Sequence, residues 1–279
     1  MHPKKLSGKR LQTRSSPQPA QADDLLYKLA ILQAAYKAGL LGNTVHELYP
    51  DIAPDSRLRF LYFTLAPALN YQRKSESLWR AALATYEDPE TSFVFDPLNL
   101  HRGVDQYRNA LTRHGLALQP SRQTSIWFTI STTLATGFRS DPRELLQACD
   151  YDVLVVKALI SQRHRSFPYL SGPKLLNYWL YMLSTFTSTQ LRNREEISVV
   201  PDIHVTRATI ALGLADDDSL CGPVDVERRW RTFLAGSSIA ACDLHAPLWR
   251  WARSGFPDIA ELSKLLRTVP EGHRPESQK

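Results

Sequence analysis

Apolar residues recur at intervals of three and four along most of this sequence, which is the spacing that lines one face of an α-helix. The pattern begins after Asp23 and Asp24, a pair typical of a helix start. Asp141, which is followed by a proline, is a second such start, and Pro67 is expected to kink or end the helix that contains it. The pattern predicts helices over residues 23–40, 56–70, 77–86, 101–114, 125–136, 141–148, 152–161, 174–186, 202–214, 225–234 and 258–266.

The helix that begins at Lys174 differs from the others because leucine, tyrosine, tryptophan and methionine make it apolar nearly all round. Such a helix is typically buried, so we predict that it lies at the centre of the fold. Residues 197–200 form the one extended run that stands out, and no repeat of 20–50 residues is present. Many helices of moderate length with short connections predict an all-α fold.

The net charge of +6 lies mainly in the N-terminal segment. Residues 1–22 contain five basic residues and no acidic one, so the remaining chain is close to +1 (6 − 5). The charge of the folded part therefore does not by itself indicate nucleic-acid binding. We predict a disordered basic tail over residues 1–22, which either holds phosphate or only keeps the chain soluble, and a flexible tail over residues 271–279.

The three cysteines, Cys149, Cys221 and Cys242, are far apart and form neither a CxxC pair nor a four-ligand metal set. Cysteines spaced in this way are typical of reduced, intracellular thiols. No apolar run reaches the roughly 18 residues of a membrane span, and no hydrophobic signal segment begins the sequence. The expected location is therefore the cytoplasm.

Two short segments carry the residues with the clearest chemical potential. Lys174 follows a Pro/Gly turn at the start of one helix, and Asp202 follows Pro201 at the start of another, 28 positions later (202 − 174). A cation is disfavoured at the positive end of a helix dipole, and desolvation in a cleft would further favour a neutral amine that can attack carbon. The alternatives are a solvated first-turn lysine and an ordinary N-cap aspartate.

The turn before this lysine has the layout of a phosphate-binding hairpin. Two helices joined by a short hairpin direct backbone N–H groups outward, where they bind an anion without reading sequence. A Gly-Pro turn between two ordinary helices and a solvated basic loop are the alternatives. The residues predicted to contact DNA phosphate are Arg163, His164, Arg165, Ser171 and Gly172.

Three motifs together resemble the helix-hairpin-helix DNA glycosylase superfamily. They are Gly-Pro-Lys at residues 172–174, Asn177 with Tyr178, and Val-Pro-Asp-Ile-His-Val-Thr-Arg at residues 200–207. In that superfamily a hairpin is followed by a Gly/Pro-rich loop that ends in an aspartate. The resemblance covers residues 150–215.

The layout is most similar to that of archaeal-type 8-oxoguanine DNA glycosylases, and on that basis the resemblance extends to residues 55–270. These proteins share the long gap between the lysine and the aspartate, and residues 69–79 resemble their early segment with a glutamine near the lesion. The hairpin here, Tyr169 to Gly172, is one residue longer than the Gly-hydrophobic-Gly hairpin of better-known members.

The resemblance implies a role for each matching residue. Lys174 corresponds to the lysine that attacks C1′ of the damaged nucleotide, and Asp202 to the aspartate that assists departure of the base. It implies a bifunctional glycosylase and AP lyase that excises a base, with 8-oxoguanine as the best match, and then cleaves the strand by β-elimination through a Schiff base. The base must flip out, because its glycosidic carbon is unreachable in stacked duplex. Gln72 is implied near the lesion. Tyr178 and Trp179, one turn after Lys174, are further candidates at the substrate, and one of them is expected to line the pocket; His204, two residues after Asp202, is another candidate, with phosphate contact or local packing as its alternatives.

Other aromatic residues are further candidates for stacking on a flipped base. These are Trp127, Phe128, Trp249 and Trp251. Core packing is the more frequent explanation for aromatic residues at helical spacing.

The resemblance also implies two helical subdomains with the catalytic cleft between them. We expect residues 23–104 with 216–270 to form the first, and residues 105–215, which include the hairpin, to form the second. No metal or organic cofactor is expected, and no iron–sulfur cluster, because only Cys221 and Cys242 follow the aspartate. A monovalent cation bound at the hairpin is compatible with the motif.

The expected partner is double-stranded DNA that contains a damaged or modified base, bound by a nucleoid-associated monomer with no membrane attachment. Two other functions remain open. A non-catalytic helix-hairpin-helix DNA-binding protein would be unaffected by loss of Lys174. An N-glycosidase acting on a nucleoside or on RNA would show no salt-dependent binding of duplex DNA.

Overall fold

The computed structural model describes residues 19–42, 47–70, 73–216 and 222–268, and nearly all of its regular structure is helical. The predicted all-α class is therefore confirmed. None of the helices in these ranges is long and apolar enough to cross a membrane. Short 3-10 helices lie at Ala66–Leu69, Ser92–Phe95, Pro97–Arg102 and Arg194–Glu196. The α-helices are α1 (Pro19–Lys37), α2 (Arg57–Leu65), α3 (Ser75–Glu87), α4 (Val104–Arg113), α5 (Pro120–Gly137), α6 (Pro142–Ala148), α7 (Val153–Gln162), α8 (Pro173–Phe186), α9 (Ile203–Ala211), α10 (Pro223–Leu234), α11 (Ala241–Arg253) and α12 (Ile259–Thr268).

Several helices begin where capping residues predict. The side chain of Asp141 accepts a hydrogen bond from the backbone N–H of Arg143 at 2.9 Å, and Pro142 occupies the first position of α6. Asp152 accepts from the N–H of Leu154 at 2.8 Å at the start of α7. Such caps satisfy N–H groups that have no partner inside the helix, and each stabilises the fold by about 1 kcal/mol.

The helix α11 is the one that the sequence pattern did not predict. Pro247 lies inside it, and a proline in a helix interior removes one main-chain hydrogen bond. The helix forms because Leu244, Leu248 and Trp251 recur on one face and are all buried. Burial of this apolar face therefore outweighs the local cost of the proline.

Several other details differ from the prediction. The helix α1 includes residues 19–22, which were predicted to belong to the disordered tail, while residues 1–18 and 271–279 lie outside the described ranges. Residues 197–200 are extended but pair with no strand. In the described ranges the β-pairing consists of an isolated bridge between Asp152 and Arg192, which joins the start of α7 to the loop after α8.

The larger of two apolar core clusters is built by α2 to α8 and the segments between them. Trp79 and Trp179 are fully buried in it, and their indole N–H groups donate to the hydroxyls of Tyr178 at 2.9 Å and Thr64 at 3.1 Å. Truncation of a tryptophan buried in this way costs about 3–5 kcal/mol. Every residue from 175 to 183 is buried, which confirms the predicted central position of α8.

The smaller core cluster is built by α1 and the C-terminal helices α9 to α12. Trp230 is its largest fully buried side chain, and its indole N–H donates to the hydroxyl of Thr209 at 2.8 Å. This distribution of the core differs from the expected division of the chain, which grouped residues 23–104 with 216–270. The helices α2 and α3 pack in the larger cluster because their apolar faces meet the elements around α5, α6 and α8. The division into subdomains itself stays a prediction.

The extended segment before Asp202 is held between the two clusters. Ile197 and Val200 pack in the larger cluster, whereas Val199 packs in the smaller one. Successive side chains of an extended segment point to opposite sides, which explains why Val199 and Val200 contact different clusters. Asp202 therefore lies at the junction of the two halves of the core.

Candidate functional site

The hairpin between α7 and α8 is anchored by its own apolar side chains. Phe167 and Leu170 are fully buried in the larger core cluster. Within the turn the N–H of Ser171 donates to the carbonyl of Phe167, and the N–H of Gly172 to the carbonyl of Tyr169, both at 3.0 Å. Tyr169 has a φ of +64°, a left-handed conformation that is uncommon for residues other than glycine. The additional residue of the hairpin is accommodated in this compact turn.

Lys174 is the second residue of α8, and its side chain is exposed. It forms no ion pair with any residue that the structure describes. The desolvation in a cleft that was expected for this amine is therefore not provided by the chain in this conformation. The backbone N–H groups of Lys174 and Leu175 also have no acceptor among the described residues, as is usual for the first turn of a helix.

The residues predicted to contact DNA phosphate fall into two groups. The backbone N–H groups of Ser171 and Gly172 donate inside the hairpin, which leaves the Ser171 hydroxyl as the group of this pair for a phosphate contact, and that contact stays a prediction. Arg163, His164 and Arg165, by contrast, have exposed side chains just before the hairpin. An exposed position is what a phosphate contact requires, and it is equally compatible with a solvated loop.

Asp202 caps the helix α9, as the sequence predicts. Its Oδ1 accepts hydrogen bonds from the backbone N–H groups of His204 and Val205, both at 2.9 Å. Its own backbone N–H donates to the carbonyl of Val200 at 2.8 Å. The other carboxylate oxygen, Oδ2, has no hydrogen-bond partner in the described part of the chain. One oxygen therefore positions the residue, and the second is available for chemistry.

The side chain of Asn177 links the start of α8, which carries Lys174, to the segment that leads to Asp202. This side chain is buried, with 2% of its surface exposed. Its Nδ2 donates to the carbonyl of Pro173 at 2.9 Å, and its Oδ1 accepts from the N–H of Ser198 at 3.1 Å. The first turn of α8 and the segment that leads to Asp202 are thereby joined through one amide group.

The structure brings Lys174 and Asp202 to a common neighbour, His245 on α11. Burial lowers the pKa of His245 to about 4, and the charge of Asp202 raises it while that of Lys174 lowers it. The imidazole ring meets the rings of Tyr181 and Tyr178 edge to face, with centroids 5.2 Å and 6.3 Å apart. His245 is therefore neutral at pH 7 and lies within electrostatic reach of both residues that the sequence singled out. Sequence reasoning missed it, because the helix that carries it was not predicted.

Of the residues predicted to contact the substrate, Tyr178 lies beside His245, whereas Trp179 lies in the core. Tyr178 is buried beside this histidine, and the charge of Asp202 raises the pKa of its hydroxyl, after burial and the charge of Glu47. Trp179 is fully enclosed and donates to a core threonine, so in this conformation it packs the core and lines no cleft. Gln72 lies outside the described residues.

Among the aromatic candidates, Trp249 is the one beside the site that keeps an accessible surface. Trp127 and Trp251 are buried, and Phe128 packs edge to face on a core tyrosine. The Trp249 ring is half-buried and lies 5.2 Å from the ring of His204, centroid to centroid. The guanidinium of Arg253 lies 4.9 Å from the centre of the same ring. Trp249 therefore has the exposure that stacking on a base requires, and His204 supports it by packing.

A half-buried carboxylate adjoins the same group of side chains. Burial raises the pKa of Glu47 from 4.5 to about 7, although its backbone, the charge of Arg250 and the nearby hydroxyl of Tyr178 act in the opposite direction. The Tyr178 hydroxyl accepts from Trp79 at 2.9 Å and lies 3.4 Å from the hydroxyl of Ser75. No pattern in the sequence marks Glu47, because it stands in an irregular segment.

Glu47→Gln is expected to change the pH dependence of stability. A carboxyl whose pKa is raised on folding binds its proton more tightly in the folded state, so its ionisation destabilises the fold progressively between about pH 4.5 and pH 7. Glutamine cannot ionise, so the variant should match the wild type at pH 5 and exceed its free energy of unfolding at pH 8 by about 1–3 kcal/mol. Urea unfolding of both proteins at the two pH values measures this difference. A difference that is the same at pH 5 and pH 8 would contradict the assignment.

The described residues contain no group of three or more His, Cys, Asp or Glu side chains that could hold a metal ion. Cys149 and Cys242 are free and buried, while Cys221 lies outside the described ranges. The carbonyl oxygens of Phe167 and Tyr169 in the hairpin each accept one N–H already, so a monovalent cation there would use their second lone pairs.

A separate open depression lies between Asp55, Arg143 and Thr189. None of the candidate residues lines it. The chemistry that the sequence suggests is therefore concentrated at the junction of α8, α9 and α11.

No protein-family model matches the chain, and no curated protein matches it either.

Proposed function

We propose that this chain is a bifunctional DNA glycosylase and AP lyase of the helix-hairpin-helix type. One observation carries the proposal: an amine and a carboxylate that are 28 positions apart, each at the start of a helix, both lie within electrostatic range of the same buried histidine. The amide of Asn177 supports the same conclusion, because it links the two helix starts through one buried side chain.

The chemistry assigns one step to each residue. The lone pair of the Lys174 amine forms a bond to C1′ while the glycosidic C–N bond breaks, and the base leaves with that electron pair and takes up a proton. The free Oδ2 of Asp202 is the group that moves protons in this step. Loss of the amine proton and opening of the sugar ring give an imine. Removal of a C2′ proton then breaks the bond between C3′ and its phosphate oxygen, which cleaves the strand.

Binding of DNA closes the site. Lys174 is exposed in the protein alone, so a nucleotide seated over the start of α8 supplies the low-dielectric surroundings that favour a neutral amine. The unpaired N–H groups of Lys174 and Leu175 and the exposed side chains of Arg163 and Arg165 are suited to the flanking phosphates. In the proposal the flipped base enters beside Trp249, near the junction of the two core clusters.

The test is borohydride trapping. Wild-type protein is incubated with duplexes that contain an abasic site, 8-oxoguanine, uracil or an oxidised pyrimidine, and sodium borohydride reduces any imine to a stable amine. A covalent adduct is expected with the abasic duplex and with at least one modified base, and peptide mapping should locate it at Lys174. Absence of an adduct with every duplex would refute the lyase assignment.

The same samples separate the two alternative functions. A non-catalytic DNA-binding protein would bind the duplexes, with an affinity that falls as salt rises, and would give no adduct. An N-glycosidase acting on nucleosides or RNA would neither bind duplex DNA in a salt-dependent way nor form the adduct. Each outcome is read from one binding curve and one gel.

A further inference from the structure

His245 combines two properties that do not fit an ordinary core residue. Its side chain is buried, with 8% of its surface exposed. Its Nδ1 is enclosed and has no hydrogen-bond partner, and the ring forms no hydrogen bond with any residue that the structure describes. A buried polar group without a partner costs about 1–3 kcal/mol. Such a cost is usually balanced by a function, an ion or a bound molecule.

The surroundings of this ring indicate what would satisfy it. Asp202 and Lys174, the residues of the proposed reaction, both lie within electrostatic reach. The edges of Tyr178 and Tyr181 close the other side of the ring and provide apolar contact. A neutral imidazole offers one N–H donor and one nitrogen acceptor. Because the two nitrogens point away from each other, a nucleobase edge would pair with one of them, through a carbonyl that accepts from the N–H or an N–H that donates to the other nitrogen.

We infer that His245 contacts the excised base itself and contributes to the selection of that base. The inference rests on the proposed glycosylase function, and it adds the residue that recognises the leaving group. In the complex, the base brings its polar edge to a ring that has no hydrogen-bond partner among the described residues. A base that cannot make this hydrogen bond leaves polar groups of the pocket without a partner. Enzymes discriminate most strongly between substrates when the wrong substrate leaves such groups unpaired.

The competing explanation is that His245 only packs against the two tyrosines. His245→Phe separates the two explanations, because phenylalanine keeps an aromatic ring of similar size and removes both nitrogens. If packing were the whole role, the variant would be as stable as the wild type, or more stable, and would excise the base at the wild-type rate. If His245 contacts the base, excision should fall by roughly 100-fold while the fold is retained.

The experiment measures two reactions on each protein. One is single-turnover excision from the modified duplex that the wild type processes, and the other is borohydride trapping on a duplex with a preformed abasic site, which has no base to recognise. His245→Phe is expected to lose the first and to keep the second within about threefold, because Lys174 and the sugar are untouched. Tyr107→Phe, which removes one hydroxyl from a fully buried tyrosine of the larger core cluster outside this aromatic group, is the control and should alter neither reaction.

Each outcome bears on the inference in a defined way. The inference would be overturned if His245→Phe excised the base at the wild-type rate. It would also be overturned if a folded His245→Phe variant lost both reactions equally, since that pattern indicates a role at the sugar or in positioning. Failure of the wild type itself to trap abasic DNA would instead refute the proposed function. If His245→Phe does not fold, His245→Gln serves in its place, because it keeps one donor and one acceptor and should excise faster than His245→Leu.

Discussion

Lys174→Gln is expected to reduce both strand cleavage and borohydride trapping by roughly 10³-fold or more, because glutamine has no nucleophilic amine to form the imine. The fold should not suffer. The side chain is exposed and forms no ion pair with a described residue, and removal of a cation from the positive end of α8 should stabilise the protein by about 0.3–1 kcal/mol. Activity and stability should therefore change in opposite directions, which a general loss of structure cannot produce. Gel-based trapping and thermal unfolding of the same preparation measure the two quantities.

The matched control is Lys157→Gln. Burial lowers the pKa of Lys157, so this amine is also a candidate nucleophile by that criterion. Its Nζ, however, donates to the backbone carbonyl of Glu196 at 2.7 Å. We expect Lys157→Gln to keep full trapping, with only a loss of stability. If Lys157→Gln abolished trapping and Lys174→Gln did not, the catalytic amine would have to be reassigned to α7.

Local sequence information was sufficient to predict where α6, α7 and α9 begin, whereas α1 and α5 begin earlier than predicted and α11 was not predicted. Asp141, Asp152 and Asp202 all cap helices through hydrogen bonds to N–H groups two or three positions later. Such bonds depend on short stretches of sequence, and no distant element is needed to form them. The all-α class follows from the same short-range information, because helical periodicity is visible within each segment.

The partners of the reactive residues could not be predicted in this way. His245 lies in the site because α11 packs against α9. This helix was not predicted from local sequence, because Pro247 in its interior argues against a helix. Leu244, Leu248 and Trp251 have the spacing that would have revealed it. Glu47 reaches the site from an irregular segment, which carries no periodic signal at all.

Exposure was equally hard to predict for the aromatic residues. The helix α8 is apolar all round, so its sequence does not reveal which side chain faces a cleft. The structure encloses Trp179 completely and leaves Trp249, on another helix, partly exposed. Burial of a given side chain depends on the elements that surround the helix, and those are set by tertiary packing.

Asp202→Asn is expected to separate the catalytic role of the carboxylate from its structural role. Asparagine is as good an N-cap as aspartate, and its side-chain oxygen can accept from the N–H groups of His204 and Val205 as Oδ1 does now. Stability should therefore stay within about 0.5 kcal/mol of the wild type, whereas Asp202→Ala should lose about 1 kcal/mol. Base excision should nevertheless fall by roughly 10²–10⁴-fold in both variants, because neither can move a proton at Oδ2.

The comparison of Asp202→Asn with Asp202→Ala makes the result decisive. If the carboxylate served only as a cap, excision would follow stability, and the asparagine variant would behave like the wild type. If it serves the reaction, the two variants should differ in stability but share the same loss of excision. Trapping on a preformed abasic site should fall less than excision in both, since the base has already left and the remaining step requires mainly the amine of Lys174. Single-turnover rates on base-containing and abasic duplexes, together with urea unfolding, distinguish these patterns. If Asp202→Asn excised the base at the wild-type rate, Asp202 would have a structural role only.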